Sequence, residues 1–152
     1  MPKKMLQKVA VNMKKNVLIL CTGNSCRSQM AEGILKKFGN DKYEVYSAGT
    51  APSQVNAIAI QVMQEIDIDI SQQSSDHVTQ YLDKDIDYVI TVCGNAKESC
   101  PIFPGKTITL HWPFPDPPHD KEITPEVINE FRKVRDAVLT KFRHAAQNGF
   151  DK

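Results

Sequence analysis

Two short apolar runs constrain this chain more than any other feature. Val17-Leu18-Ile19-Leu20-Cys21 and Tyr88-Val89-Ile90-Thr91-Val92-Cys93 are each bounded by polar segments. Runs this short and this continuously apolar read as strands covered on both faces, the habit of a parallel sheet. Parallel strands need long crossovers, and the intervening sequence supplies helical patterns.

The strands are placed at Asn16–Cys21, Tyr43–Ala48, Tyr88–Cys93 and Thr107–His111. Ser28–Phe38 carries Met30, Ile34, Leu35 and Phe38 at helical spacing, with Gly39 expected to stop it. Asn56–Glu65 reads as a helix with Ile58, Val62 and Ile66 on one side, and Ser75–Leu82 as a short helix. Thr124 should cap a long final helix with Pro125 in its first turn. Its stripe of Ile128, Phe131, Val134, Val138, Phe142 and Ala145 is the pattern of a core-facing side. The expected fold is α/β, a four-stranded parallel sheet flanked by helices on both faces.

The 152 residues suit one domain, here residues 16–150, and 41% apolar with 24% charged residues is ordinary globular composition. Residues 1–15 hold five lysines and no acid, and read as a flexible basic extension. All 18 acidic residues lie beyond it, so the body is slightly acidic and a poor match for nucleic acid. No apolar run reaches the ~20 residues of a membrane helix, and the extension lacks the h-region of a signal peptide. A cytoplasmic monomer with free thiols is therefore expected.

In an α/β sheet, ligands gather at the carboxyl ends of the strands. Cys21 ends the first predicted strand, Cys93 ends the third, and Asp116 follows the fourth. After the first strand the chain reads Cys21-Thr22-Gly23-Asn24-Ser25-Cys26-Arg27-Ser28. A short loop running into a helix presents successive backbone N–H groups and a positive helix end to an anion. Gly23 and Asn24 tolerate the left-handed backbone that such a nest needs. Arg27 adds a planar fork for two oxygens. The same field is expected to lower the Cys21 pKa from ~8.5 and make it a nucleophile, with Ser28 donating to its sulfur. Cys26 is read as a packed side chain whose backbone belongs to the cradle. Gaps of four and six residues between cysteines fit a zinc site poorly.

The octet, continued by Gln29-Met30-Ala31-Glu32, resembles the phosphate-binding loop of the low-molecular-weight tyrosine phosphatase superfamily. That superfamily contains phosphatases and arsenate reductases, and the loop alone does not separate them. Thr91-Val92-Cys93 through Ser99-Cys100-Pro101 resembles the redox segment of the thioredoxin-coupled arsenate reductases. The resemblance implies Cys21 as nucleophile, Cys93 as second thiol and Cys100 as third, with a Cys21–Cys93 and then a Cys93–Cys100 disulfide. It implies thioredoxin as reductant and arsenate as substrate, with phosphate or sulfate as analogues.

His111-Trp112-Pro113-Phe114-Pro115-Asp116-Pro117 resembles the family's general-acid loop, with Asp116 as the acid. Pro113 and Pro115 depart from the Gly and Asp that reductases more often carry there. Pro118 and His119 stand where the phosphatases usually have tyrosines. No tightly bound cofactor is implied. Some of these reductases hold a potassium ion, and the matching positions are Asn24, Glu32, Ser47 and Asp76. Two rivals remain at this point. One is a phosphatase acting through a Cys21 phospho-intermediate; the other is a non-catalytic oxyanion or redox sensor.

Overall fold

The computed structural model describes residues 14–93, 106–118 and 122–150. Four parallel strands, β1 (Lys15–Cys21), β2 (Tyr43–Gly49), β3 (Tyr88–Thr91) and β4 (Ile108–His111), form one sheet in the order β2-β1-β3-β4. Helices α1 (Arg27–Gly39), α2 (Ala57–Gln64) and α3 (Pro125–Asn148) flank it. This is the expected four-stranded parallel α/β architecture.

Val17, Leu18, Ile19 and Leu20 of the central strand β1 are completely buried, which is why no polar residue interrupts that run. Each such side chain contributes roughly 1.5–3 kcal/mol on leaving water. At the edge, β4 tolerates a half-exposed Ile108. Helix α3 packs on α1 and α2 through Val127, Phe131, Val134, Val138, Phe142 and Ala145. Thr124 accepts the Val127 amide at 3.2 Å and caps its first turn.

Several boundaries differ from the sequence reading. Val127 lies deeper than Ile128, so the core-facing stripe of α3 starts one residue earlier than periodicity suggests. The Ser75–Leu82 segment forms only a 3-10 turn, Val78–Tyr81, because His77 caps it and Ser74, Ser75 and Asp76 are drawn into loop contacts. Gly39 is the last residue of α1 rather than a left-handed stop. A β-carbon there would lie 3.0 Å from the Tyr43 ring and 3.3 Å from Leu35, so the close approach of β2 favours the glycine. Strand β3 ends at Thr91, although the Val92 amide still reaches the Leu20 carbonyl at 2.9 Å. The basic extension through Met13 and the segment holding Cys100 and Pro101 lie outside the described residues.

Strand order places the topological switch point between β1 and β3, since the chain leaves β1 for β2 on one side and reaches β3 on the other. A crevice opens beyond the carboxyl ends at such a point. Cys21 and Cys93 stand there.

Candidate active site

Residues Thr22–Cys26 make a tight turn from β1 into α1, with Asn24 at φ 47° in the left-handed region. Neighbours outside the turn hold its carbonyls one by one. The Ala51 amide donates to the Thr22 carbonyl at 2.9 Å, and the Ser53 amide to that of Gly23 at 3.1 Å. The Ser75 hydroxyl also donates to Gly23, at 3.2 Å. The Gln29 side chain donates to the Asn24 carbonyl at 2.9 Å, and the Asn56 amide to that of Ser25 at 3.1 Å. A peptide unit is planar and trans, so a carbonyl pulled outward turns the next N–H inward. Four fixed carbonyls therefore aim the N–H groups of Gly23, Asn24, Ser25 and Cys26 at one concavity.

Helix α1 begins at its floor, and among the described residues the Cys26 side chain caps none of its first amides, which suits them to an anion. Arg27 lies along one wall. Its Nη1 donates to the Phe114 carbonyl at 3.0 Å, and its Nη2 is 3.3 Å from Asp116 Oδ1. Its Nε is buried with no hydrogen-bond partner among the described residues. A buried guanidinium N–H without an acceptor is costly, and an anion in the concavity would relieve that cost. The half-exposed Asp116 is thus tied to the Arg27 wall by charge, and the Phe114 amide ties the same loop to Val92 at 3.0 Å.

Three of the four cysteines are described; all three are buried thiols in no disulfide. The Cys93 sulfur accepts the Thr22 amide at 3.2 Å and is 3.3 Å from the Thr22 hydroxyl. It also lies close enough to the Cys21 sulfur to oppose its ionisation, and this reverses an expectation. The Cys21 pKa is driven up, first by Cys93 and then by burial, while Arg27 and the Thr22 amide pull it down less strongly. Two sulfurs sharing one cavity cannot both ionise easily. Cys26 is pushed up to about 11 by burial, with a weak 3.9 Å contact to the Ser25 hydroxyl, as a packing residue would be. Ser28, expected to donate to Cys21, makes no such bond among the described residues; its oxygen instead accepts Asn24 Nδ2 at 2.8 Å.

Behind the loop, Asn24, Glu32, Ser47 and Asp76 converge. Asn24 Nδ2 donates to Ser47 at 2.9 Å, the Asp76 amide donates to Asn24 Oδ1 at 2.8 Å, and Ser47 donates to Glu32. Glu32 also meets the Lys36 ammonium, and Asp76 accepts the Tyr81 hydroxyl at 2.9 Å. No cluster of three or more His, Cys, Asp or Glu suited to a metal occurs among the described residues. These hard oxygens suit a monovalent cation in kind, but the Lys36 ammonium already meets the Glu32 charge.

Sequence reasoning missed Gly49. A β-carbon there would lie 2.4 Å from the Thr22 carbonyl and 3.0 Å from both the Asn24 nitrogen and the Cys21 carbonyl. Only glycine lets β2 pass this close beneath the turn, and a glycine closing a strand was the available signal.

The model of the low molecular weight phosphotyrosine protein phosphatase family matches residues 16–148. An arsenate reductase of Halalkalibacterium halodurans is 45% identical over 136 residues, covering 90% of this chain and 98% of its own. One from Bacillus subtilis is 40% identical over 135 residues, covering 89% and 97%. A solved arsenate reductase in the phosphate binding state superposes with a TM-score of 0.72 at 34% identity, over 90% of this chain and 99% of that one. Another, in its oxidized state, gives a TM-score of 0.76 with the same identity and coverage. The chain belongs to the low molecular weight phosphotyrosine protein phosphatase family.

Proposed function

We propose that this protein is an arsenate reductase that reduces arsenate to arsenite through a relay of cysteines. The observation that carries the reading is a second thiol, Cys93, whose sulfur accepts the amide of Thr22, the residue that follows Cys21, at 3.2 Å at the base of an anion cradle. A phosphatase needs one thiol and water, whereas a reductase needs a second thiol within reach of the first. The 40–45% identity to arsenate reductases over nine-tenths of the chain supports the same reading.

Arsenate sits on the inward amides and Arg27. As the Cys21 sulfur attacks arsenic its proton passes to an arsenate oxygen, a sulfur–arsenic bond forms, and an arsenic–oxygen bond breaks. Asp116 gives the departing oxygen its proton, so water leaves. The Cys93 thiolate then attacks the Cys21 sulfur. The disulfide forms, the sulfur–arsenic pair stays on arsenic, and As(III) departs as arsenite. Cys93 and Cys21 have lost two electrons and arsenic has gained them. Cys100 next attacks Cys93, freeing Cys21, and a dithiol protein of the thioredoxin class reduces the Cys93–Cys100 bond. The Thr22 N–H donates to the Cys93 sulfur and the Thr22 hydroxyl lies beside it, so the second thiol is held next to the nucleophile.

The same nucleophile, cradle and acid suit a phosphoester, so slow hydrolysis of an aryl phosphate accompanies the main activity. All residues invoked come from one chain, and a monomer suffices. Thiols that must be kept reduced call for a reducing compartment, the cytoplasm. No helix among the described residues is long and apolar enough to cross a membrane. A potassium ion would lie among Asn24, Glu32, Ser47 and Asp76 once Lys36 moved aside, where it would neutralise Glu32 and brace Asn24. Residues 16–150 act as the catalytic domain, preceded by the basic extension, whose last residue, Lys15, opens β1.

The test is steady-state consumption of NADPH through thioredoxin reductase and thioredoxin, with and without arsenate. Cys21→Ser, Cys93→Ser and Cys100→Ser each abolish the arsenate-dependent rate, and only Cys21→Ser abolishes aryl phosphate hydrolysis. Full arsenate-dependent turnover in Cys93→Ser would refute the relay.

A further inference from the structure

Of the four outward carbonyls that shape the oxyanion turn, those of Thr22, Gly23 and Ser25 are each held by a backbone amide, from Ala51, Ser53 and Asn56. The Asn24 carbonyl is held differently, by the side-chain amide of Gln29. Asn24 is also the turn's left-handed residue, at φ 47°. The Asn24–Ser25 peptide plane thus depends on one side chain at the point where the backbone is least at ease.

Gln29 is built for this task. It is fully buried in the first turn of α1. One Nε2 proton goes to the Asn24 carbonyl and the other to the Ser74 carbonyl, at 2.9 and 2.8 Å. Its Oε1 accepts Gln73 Nε2 at 2.8 Å, and the same nitrogen lies 3.0 Å from the Gln29 carbonyl. Both donors and the carbonyl oxygen are engaged, so the amide has one allowed orientation. Hydrophobic replacements would fill the space but leave the Asn24 carbonyl without its buried donor.

We propose that Gln29 is a positioning residue that fixes the Asn24–Ser25 peptide and so aims the Ser25 N–H at the bound oxyanion. It touches neither substrate nor sulfur; it acts through the peptide it clamps. The inference rests on the oxyanion-cradle reading above and deepens it. It predicts that losing Gln29 removes one charge-assisted hydrogen bond from the oxyanion and leaves the other amides in place.

The experiment titrates inorganic phosphate into wild-type and Gln29→Met protein, following affinity by calorimetry and each backbone amide by nitrogen–proton NMR. The expected result is an affinity about 10- to 100-fold weaker in Gln29→Met, the worth of one hydrogen bond to a charged group. The phosphate-induced shift of the Ser25 amide is lost while those of Gly23 and Cys26 persist, a pattern that general loosening would not give. An unchanged Ser25 response, or an affinity within about twofold of wild type, overturns the proposal. Should Gln29→Met fail to fold, proton exchange of the Gln29 side-chain amide in the wild type decides. Protection far beyond that of the exposed Gln64 amide supports the clamp, and equal exchange overturns it. Wild-type protein that binds phosphate but turns over no arsenate would refute the reductase reading and leave the clamp standing. Wild-type protein that binds no phosphate would overturn both.

Discussion

The Cys93 sulfur lies 3.2 Å from the Thr22 backbone nitrogen and 3.3 Å from the Thr22 hydroxyl. Thr22 follows the nucleophile directly, so the residue that starts the oxyanion turn also holds the second thiol. Thr22→Val keeps the shape and the backbone N–H but removes the hydroxyl. Arsenate-dependent turnover should fall about 10-fold, the worth of a hydrogen bond to a charged sulfur. Phosphate affinity should stay near that of the wild type. Steady-state rates and a phosphate titration check both halves.

The Cys21–Cys93 contact makes a second prediction, with its sign set by the groups involved. Cys93 is the largest influence raising the Cys21 pKa. Removing it by Cys93→Ala should lower that pKa and raise the thiolate fraction at neutral pH. Iodoacetamide should then label Cys21 faster at pH 7 than in wild-type protein, with mass spectrometry locating the label. Cys26, held at about 11 by burial, should stay unlabelled in both.

Gly49→Ala should be severe for a small change. Its new methyl would press on backbone atoms of Cys21, Thr22 and Asn24, none of which is the movable end of a side chain. Overpacking of this kind costs roughly 1–3 kcal/mol and would deform the cradle. Urea unfolding and phosphate titration should show reduced stability together with reduced affinity.

A fourth prediction concerns acid. Glu65, at the end of α2, pairs with Arg132 at 2.8 Å and with Arg135 at 2.6 Å. Its pKa is lowered to about 2, mainly by the hydrogen bonds from Arg132. A carboxylate with a folded-state pKa below its unfolded value stabilises above about pH 4.5, and the effect disappears as pH falls toward 2. The group is partly exposed, so Glu65→Gln should cost only about 1 kcal/mol at pH 7. Urea unfolding at pH 7 and pH 3 should show the difference between the two proteins shrinking at the lower pH.

Much of this was legible in the residues because β1 and β3 declare themselves. A buried central strand has to be apolar throughout, and the cysteines at the ends of these runs mark the sheet edge where ligands bind. What could not be read depends on contacts between distant segments. Nothing near Gln29 in the chain announces that its amide reaches back to Asn24 and across to Ser74, and Gly49 has meaning only beneath Thr22. The pKa of Cys21 was misjudged for the same reason. Reasoning from the loop alone counts the positive field of Arg27 and the amides, and omits a second sulfur that sits just beyond the end of β3, 72 positions along the chain. The shortened turn at Val78–Tyr81 likewise follows from Ser75 and Asp76 being claimed by Gly23 and Asn24.

The most direct test is a single turnover without external reductant. Fully reduced protein is mixed with excess arsenate, arsenite is counted, and the disulfides are mapped by mass spectrometry. The account predicts one arsenite per chain, a disulfide that includes Cys93, and no arsenite from Cys93→Ser. Intact thiols with no arsenite from the wild type, or an equal yield from Cys93→Ser, would contradict it.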